Sequence, residues 1–380
     1  MKIQNKIKLA VLLASASGSV FALDPNPIDV NGMYFVPTIE VTEAFDDNLR
    51  ASNVAVEGWV TAIKPNFVLG FEGNKGLYEL SYALDHQLNH ATNVTNLTNQ
   101  SINATAEMEF DVRNALDLSL SYTKTQSIDA INVVGGSSMQ NMANLNGLYV
   151  YGADTASFNV ELGFNAVQMR SDDGLNLDLE RDTNAVDLAF VYRVSPKTRL
   201  VAEAKSSQND YTSNDALDST NTAMLVGARW DATAKTTGRA KIGKETKDFD
   251  AVGTNSATLS NWEVSIDWTP LSYSVITFNT KQMIEEGSLG ANSVNNRTSG
   301  VAWQHAWASG IGSQLSLSST SKEYSSTRTD TLNSASVGLK YAVERWMDVG
   351  LDYQYSDQDS DTLAQKFTRN KIIFSVNLSL

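Results

Sequence analysis

The sequence predicts an all-β fold, a transmembrane antiparallel up-and-down β-barrel of about 18 strands, with 16 as the fallback count. Three observations predict it. From Met33 to the C-terminus apolar residues recur at every second position, the period of a strand rather than of a helix. The connections alternate between short and long, as periplasmic turns and outer loops do in outer-membrane barrels. Aromatic residues gather beside the short turns, where a ring of amphipathic side chains would meet the membrane boundary.

The N-terminus carries Lys2, Lys6 and Lys8, an apolar run from Leu9 to Ala16, and Val20-Phe21-Ala22. That order of basic head, apolar core and small-residue site is a secretory signal, expected to be cut after Ala22. Residues 1–22 are therefore read as signal peptide, 23–32 as a short periplasmic segment and 33–380 as a single barrel. The whole chain has a formal net charge of −14, and residues 1–22 hold three lysines and no acid, so the exported part is more acidic still. Such a charge repels nucleic acid, and no nucleic-acid partner is expected. There is no cysteine, which excludes disulfides, thiolate metal sites and thiol catalysis. Beyond the signal no apolar run reaches about 18 residues, so entry into a membrane must be by strands.

Individual strands follow in order. Trp59, Ile63, Phe67, Leu69 and Phe71 share one face, and Lys64, Asn66 and Glu72 the other. Tyr78, Leu80, Tyr82 and Leu84 alternate with Glu79, Ser81 and Asp85; Ala106, Met108, Phe110 and Val112 alternate with Glu107, Glu109 and Asp111. The pattern repeats in about eighteen segments, each close to the roughly 9 to 11 residues of a tilted membrane strand. The weakest are those near Leu200–Lys205 and Arg239–Lys244, whose outward faces offer only Leu200, Ala202 and Ala204, or Ala240 and Ile242.

Short connections centre on Asn74-Lys75-Gly76, Arg113-Asn114-Ala115, Ala153-Asp154, Ser195-Pro196-Lys197, Asp231 to Lys235, Thr269-Pro270-Leu271, Ala308-Ser309-Gly310 and Glu344-Arg345. Most are filled by turn formers. Polar stretches such as Asn89 to Asn99, Ile128 to Gln140, Ser206 to Ser219 and Glu285 to Asn296 read as the outer loops. Beside the short turns stand Phe71, Tyr78, Phe110, Phe158, Tyr192, Trp230, Trp268, Tyr273, Trp307 and Tyr341, the expected inner girdle. In hydrocarbon an open sheet edge leaves backbone groups unpaired, so first and last strands should pair and the strand number should be even. Ile372, Phe374, Val376, Leu378 and Leu380 form a terminal strand of the kind the barrel-assembly machinery recognises, although its last residue is aliphatic where the common form is aromatic.

The opposite register lines the lumen. The candidates are Lys64, Glu79, Glu107, Glu109, Asp111, Glu161, Arg193, Arg229, Arg239, Lys241, Glu263, Asp267 and Lys340, with Asp85, Asp117, Asp187, Arg199, Glu203, Lys205, Asp352 and Lys371 on the same face. Both signs are present. They would either set the field and selectivity of a water-filled passage or pair across neighbouring strands and fill the interior. No cofactor or metal is expected. His86 and His90 have a helical ligand spacing but fall at a strand end and in a loop, and no third ligand accompanies them. Gly70 to Gly76 surrounds a hairpin turn rather than a phosphate. No nucleophile with its base and orienting acid stands out, and the chain is not read as an enzyme.

Tyr34-Phe35-Val36-Pro37-Thr38-Ile39, then Phe45-Asp46-Asp47-Asn48, with Pro65 and Leu80-Ser81-Tyr82, resemble the opening of the β-barrel porin family associated with exopolysaccharide and capsule biosynthesis operons. The likeness in detail covers about the first quarter of the chain. It implies an outer-membrane barrel acting in export or surface assembly of an exopolysaccharide beside periplasmic polysaccharide-export proteins, with outer-membrane lipid and lipopolysaccharide around it. The alternative reading is a general or cation-preferring porin for small solutes. Asp46-Asp47-Asn48 either caps the first outer loop by side-chain to backbone bonds or contacts sugar; the cap is the reading adopted.

Overall fold

The computed structural model describes residues 27–128, 138–172, 174–233, 235–288, 290–307 and 310–379. The segment 1–22 read as a signal peptide, most of the Ile128–Gln140 connection and Leu380 lie outside them. A short strand β1 (Ile28–Val30) is followed by β2 (Met33–Asp46), β3 (Gly58–Gly73), β4 (Gly76–Asn89), β5 (Leu97–Asp111), β6 (Asn114–Ser127), β7 (Ser138–Tyr151), β8 (Phe158–Ser171) and β9 (Arg181–Ser195). Then come β10 (Thr198–Tyr211), β11 (Ser219–Thr233), β12 (Thr236–Phe249), β13 (Ala257–Leu271), β14 (Ser274–Glu286), β15 (Ser293–Ala306), β16 (Ile311–Tyr324), β17 (Thr329–Glu344), β18 (Met347–Ser360) and β19 (Phe367–Ser379).

Each strand from β2 to β19 pairs antiparallel with its sequence neighbours, and β19 returns to β2, from Ser379 opposite Thr38 to Lys371 opposite Asp46. The result is a closed 18-stranded barrel, the predicted count. The two doubtful segments are full strands, β10 and β12, each paired along its length on both sides. Closure explains why weak outward faces suffice: a strand with neighbours on both sides satisfies all its backbone groups whatever its side chains offer to lipid.

The lower edge of β2 is handled separately. Since β19 reaches down only to Thr38, Met33–Phe35 would lack a partner on that side, and β1 folds back to cover it, Val30 opposite Met33 and Ile28 opposite Phe35. Asn31 and Gly32 make the turn with φ of 55° and 84°, the left-handed pair of a two-residue hairpin. The segment expected to be a short periplasmic lead-in therefore contains a strand, marked in the sequence by its Asn-Gly turn signal.

The strands run to between 13 and 16 residues, longer than the expected 9 to 11. At about 3.3 Å per residue and a tilt near 45° they span about 30 to 37 Å, against an apolar band of about 25 Å. The surplus lies at the outer end. There the outward positions turn polar, as at Gln100, Lys124, Asn141, Ser206, Lys244 and Ser260. Stretches read as outer loops are thus largely strand: Ser206–Tyr211 belongs to β10, and the residual loop is 212–218. Above the bilayer a strand no longer needs an apolar face, so the alternation used to find strands fades where the hydrocarbon ends.

At the inner end, two-residue turns join β3 to β4, β5 to β6, β9 to β10 and β17 to β18. Register shifts accompany three of them, between Glu109 and Asp111, Thr198 and Arg199, and Ala342 and Glu344, and also the β11–β12 and β13–β14 connections, between Trp230 and Thr233 and between Trp268 and Leu271. Such bulges place an extra residue on one strand and change which side chains meet across the hairpin.

Candidate functional site: the barrel lumen

The large exposed apolar side chains, among them Ile63, Phe67, Leu120, Phe190, Val226, Leu317, Leu339 and Phe374, mark the lipid face. The alternate positions face inward. By this register Lys64, Glu79, Glu107, Glu109, Glu161, Arg193, Arg229, Arg239, Lys241, Glu263, Asp267 and Lys340 lie on the lumen wall. Asp111 does not belong with them. The shift after Glu109 sets it at the very end of β5 against the two-residue turn, where it is exposed and its Oδ1 accepts the Arg113 amide at 2.7 Å. That bond holds the Asp111 carboxyl below the usual carboxylate range.

The charges are not spread evenly. On β8 to β13, Glu161 receives both guanidinium nitrogens of Arg229, at 2.6 and 2.8 Å. Lys241 bridges Glu203 at 2.5 Å and Glu263 at 2.8 Å, and Lys205 reaches Glu263 at 2.9 Å. All but Lys241–Glu263, which joins the neighbouring strands β12 and β13, skip across intervening strands, so they bind the wall together sideways. On the other wall Lys64 meets Glu40 at 2.6 Å, while Glu107 of β5 lies directly opposite Asp117 of β6. Tyr34 lies flat across Gly70, where a Cβ would meet its ring at 2.0 Å, and its hydroxyl donates to Glu79 at 2.6 Å. Lys340 pairs with Asp348 at 3.1 Å, and Asp267 accepts the Thr277 hydroxyl at 2.6 Å.

Following the inter-strand hydrogen bonds sideways, one lumen-facing residue from each strand makes a continuous row. It begins at Arg193 on β9 and passes Arg199, Arg229, Arg239, Ser265 and Asn279. It then passes Gly300, Ser318, Ser334 and Ser356 to Arg369 on β19. Because the strands tilt, the row climbs from the inner end of the barrel to its outer mouth. Its neighbours are of the same kind: Ser316 and Ser336 share a hydrogen bond at 2.9 Å, and Thr298 and Thr320 one at 3.2 Å. On the opposite wall Asn144, Asn146 and Asn165 form an amide cluster. The sequence reading identified the inward residues but not this row, since alternation gives the face of a residue and not its partner on the next strand.

The mouth is narrowed from one side. β14 pairs with β13 only as far as Gln282 opposite Trp262. Beyond that it crosses the inner side of β13 to reach β12, where Glu245 accepts the Ile284 amide at 3.0 Å and the Asn261 side chain at 2.8 Å. Lys247, fully buried, pairs with Glu286 at 2.5 Å, and the Tyr211 hydroxyl donates to the same carboxylate at 2.8 Å. Behind them Ala291, Val294 and Tyr324 make a small apolar cluster.

At the inner boundary Phe71, Tyr78, Phe110, Tyr192, Trp268, Trp307 and Tyr341 project from the lipid face, and Trp230 is half-buried. Phe71 stacks on Tyr78 across the first short turn with centroids 6.3 Å apart. Tyr151 and Trp346 stand in the same zone and were missed, the latter because it sits within a turn. His86 and His90 engage different threonines, Thr98 at 2.9 Å and Thr61 at 2.8 Å. His305 packs among the rings of Tyr273, Trp303 and Trp307. Among the described residues no three His, Asp or Glu side chains converge as a metal donor set, and no helix is long and apolar enough to cross a membrane.

The asparagine-aspartate set near the start acts as a cap and more. Asp46 accepts the Asn48 amide at 2.9 Å, and the Asn48 side chain donates to the Ser52 carbonyl at 2.8 Å. Asp47 binds the backbone and side chain of Asn370, both at 2.7 Å, so the first outer loop is tied to the last strand.

Known proteins with this architecture are outer-membrane barrels. The crystal structure of Pseudomonas aeruginosa OpdK with vanillate superposes with a TM-score of 0.50 over 91% of this chain and 99% of that one, at 10% identity. OpdL from the same organism gives 0.50, 92%, 99% and 10%. The FrpB iron transporter of Neisseria meningitidis gives 0.51 over 93% and 83%, also at 10% identity. At such identity the likeness is one of fold. Among curated proteins none matches the sequence. The family described as "Putative beta-barrel porin 2" matches residues 24–380, which agrees with the resemblance noted in the opening strands.

Proposed function

Since the chain belongs to the beta-barrel porin family that matches residues 24–380, we propose that it forms an outer-membrane passage acting in export or surface assembly of an exopolysaccharide. The observation that carries this reading is the row from Arg193 to Arg369. It offers hydroxyl, amide and guanidinium groups one strand apart, about 4.8 Å, along the whole climb through the wall. A glycan moving past such a row exchanges one set of hydrogen bonds for the next, and the small serines and Gly300 leave it room. Water bridges between sugar and wall make each exchange nearly as favourable as a direct bond. Periplasmic polysaccharide-export proteins would deliver the chain to the inner end. In a deletion strain, surface polysaccharide is lost while uptake of small nutrients is unchanged; normal surface polysaccharide in that strain refutes the reading.

A second reading, diffusion of small solutes, draws support from the fold shared with OpdK, which was crystallised with vanillate. Planar-bilayer recordings separate the two. A general diffusion porin conducts steadily without partners, whereas an export passage narrowed at its mouth by β14 conducts poorly until that segment moves.

A further inference from the structure

We propose that the four arginines at the inner end of the row, Arg193, Arg199, Arg229 and Arg239, form a binding site for the carboxylates of an acidic saccharide. This deepens the glycan reading above and rests on it for the choice of a saccharide.

The four side chains come from four successive strands and stand directly opposite one another: Arg193 with Arg199, Arg199 with Arg229, and Arg229 with Arg239. Two bulges create this alignment. The shift between Thr198 and Arg199 brings Arg199 opposite Arg193 instead of Val194, and the shift between Trp230 and Thr233 sets Arg229 opposite Arg239. Bulges recur where a side chain has to be re-aimed.

Like charges placed directly opposite in a sheet destabilise it. Elsewhere on this wall the register alternates sign, as in Lys241, Glu263 and Lys281, and Lys241 and Lys205 bond to nearby acids. The arginine row is not neutralised in that way. Glu161 takes Arg229 alone. Arg193 and Arg199 both donate to the backbone carbonyl of Asp154, at 3.1 and 3.0 Å, and Arg193 also to that of Pro196 at 3.2 Å. These are neutral acceptors. Arg239 makes no hydrogen bond or ion pair among the described residues. Arg193 and Arg199 are thus held side by side on backbone dipoles, and Arg239 stands one strand beyond the Arg229–Glu161 pair, so three of the four guanidinium charges are left for an anion to neutralise.

The chemistry of the ligand follows from the donors. A guanidinium presents a planar fork that matches a carboxylate in two parallel bonds, and a row of forks one strand apart suits repeated carboxylates better than one compact anion. The spacing is comparable to the advance per sugar along an extended glycan. Ser265 and Asn279 continue the row from Arg239, so the hydroxyls of the same molecule find partners beyond its charges. A site of this kind places anion selectivity inside a protein whose net charge is strongly negative, contrary to the cation preference that the overall charge suggests.

The test measures binding to the full-length protein folded in detergent, by titration calorimetry with three probes: an oligogalacturonate, a neutral malto-oligosaccharide of equal length, and inorganic phosphate. Oligogalacturonate should bind at least tenfold more tightly than either of the others. The Arg199→Gln/Arg239→Gln variant should lose at least tenfold of that affinity, while Lys366→Gln, which removes one cation from an outer loop, should keep it. If the double variant does not fold, Arg239→Gln alone, which breaks no hydrogen bond to the wall, should still weaken oligogalacturonate severalfold. Equal affinity for the neutral sugar or for phosphate, unchanged affinity in the folded variants, or no binding by the wild type overturns the proposal. Binding as expected combined with normal surface polysaccharide in the deletion strain leaves the site standing and removes the export reading alone.

Discussion

Asp46 and Arg369 join the first barrel strand to the last. The guanidinium of Arg369 grips the Asp46 carboxylate with Nε at 3.1 and 3.0 Å from its two oxygens and a terminal nitrogen at 2.6 Å. Asp46 is fully buried. The contact sits at the outer end of the β2–β19 seam, one residue from the Asp47–Asn370 pair, so the two ends of the chain are locked where the barrel would open most readily.

Arg369→Ala takes the hydrogen-bonded guanidinium from the buried Asp46 carboxylate and leaves it only the charge of Lys371 opposite on β19, at a cost of about 3 kcal/mol. The measurement is urea unfolding of the detergent-folded barrel. A lowered midpoint with an unchanged slope is expected for Arg369→Ala, and a smaller drop for Asp46→Asn. Midpoints equal to wild type would mean that the seam is held by its backbone ladder alone.

The strand count, the two faces and the closing pair were legible in the sequence because each follows from alternation and from the intolerance of hydrocarbon for unpaired backbone. Phe190 and Arg193 could be assigned to opposite faces from their spacing. That Arg193 meets Arg199 could not, since it depends on a bulge between Thr198 and Arg199. The outer ends were misread for a related reason: Ser206–Tyr211 has lost the apolar half of its pattern yet remains fully paired. The inward turn of β14 left no trace in composition, because Ile284 and Glu286 look the same in a strand that follows the wall and in one that leaves it.

Lys247 and Glu286 hold the inward end of β14 at the mouth. Lys247→Met removes the cation and leaves Glu286 with only the Tyr211 hydroxyl. Faster amide exchange across Met283–Ser293 is expected, together with a larger single-channel conductance. Exchange rates equal to wild type would show that the apolar contacts of Ala291 and Val294 hold the segment without the ion pair.

Asp359, at the outer end of β18, bonds Lys366 at 2.7 Å, and this neighbour keeps its carboxyl below the usual carboxylate range. A depressed folded value means that the contribution of the pair is present above the ordinary Asp range near 3.9 and is lost as pH falls through the lower, folded value. Carboxyl NMR in micelles should show Asp359 titrating below an ordinary aspartate, and Lys366→Met should return it to normal. No change in the variant would remove the lysine as the cause.

The girdle makes a depth prediction. Trp268 and Trp307 at the inner boundary, and Trp59 at the outer end of β3, should be quenched weakly by lipids brominated deep in the acyl chain and more strongly by lipids labelled near the headgroup. Single-tryptophan variants read each position. Strong deep quenching at Trp268 would shift the assigned band along the barrel axis.

The central claim is that the row climbing β9 to β19 lines a solute path. Because the chain contains no cysteine, a single engineered thiol reports its own surroundings without interference. Ser334→Cys, on the row, and Val337→Cys, three residues away on the lipid face, are compared for reaction with a charged, membrane-impermeant maleimide in outer-membrane vesicles. The account predicts rapid labelling at 334, slowed by added oligogalacturonate, and little at 337. Equal labelling at both, or protection of 334 in the absence of any saccharide, would contradict it.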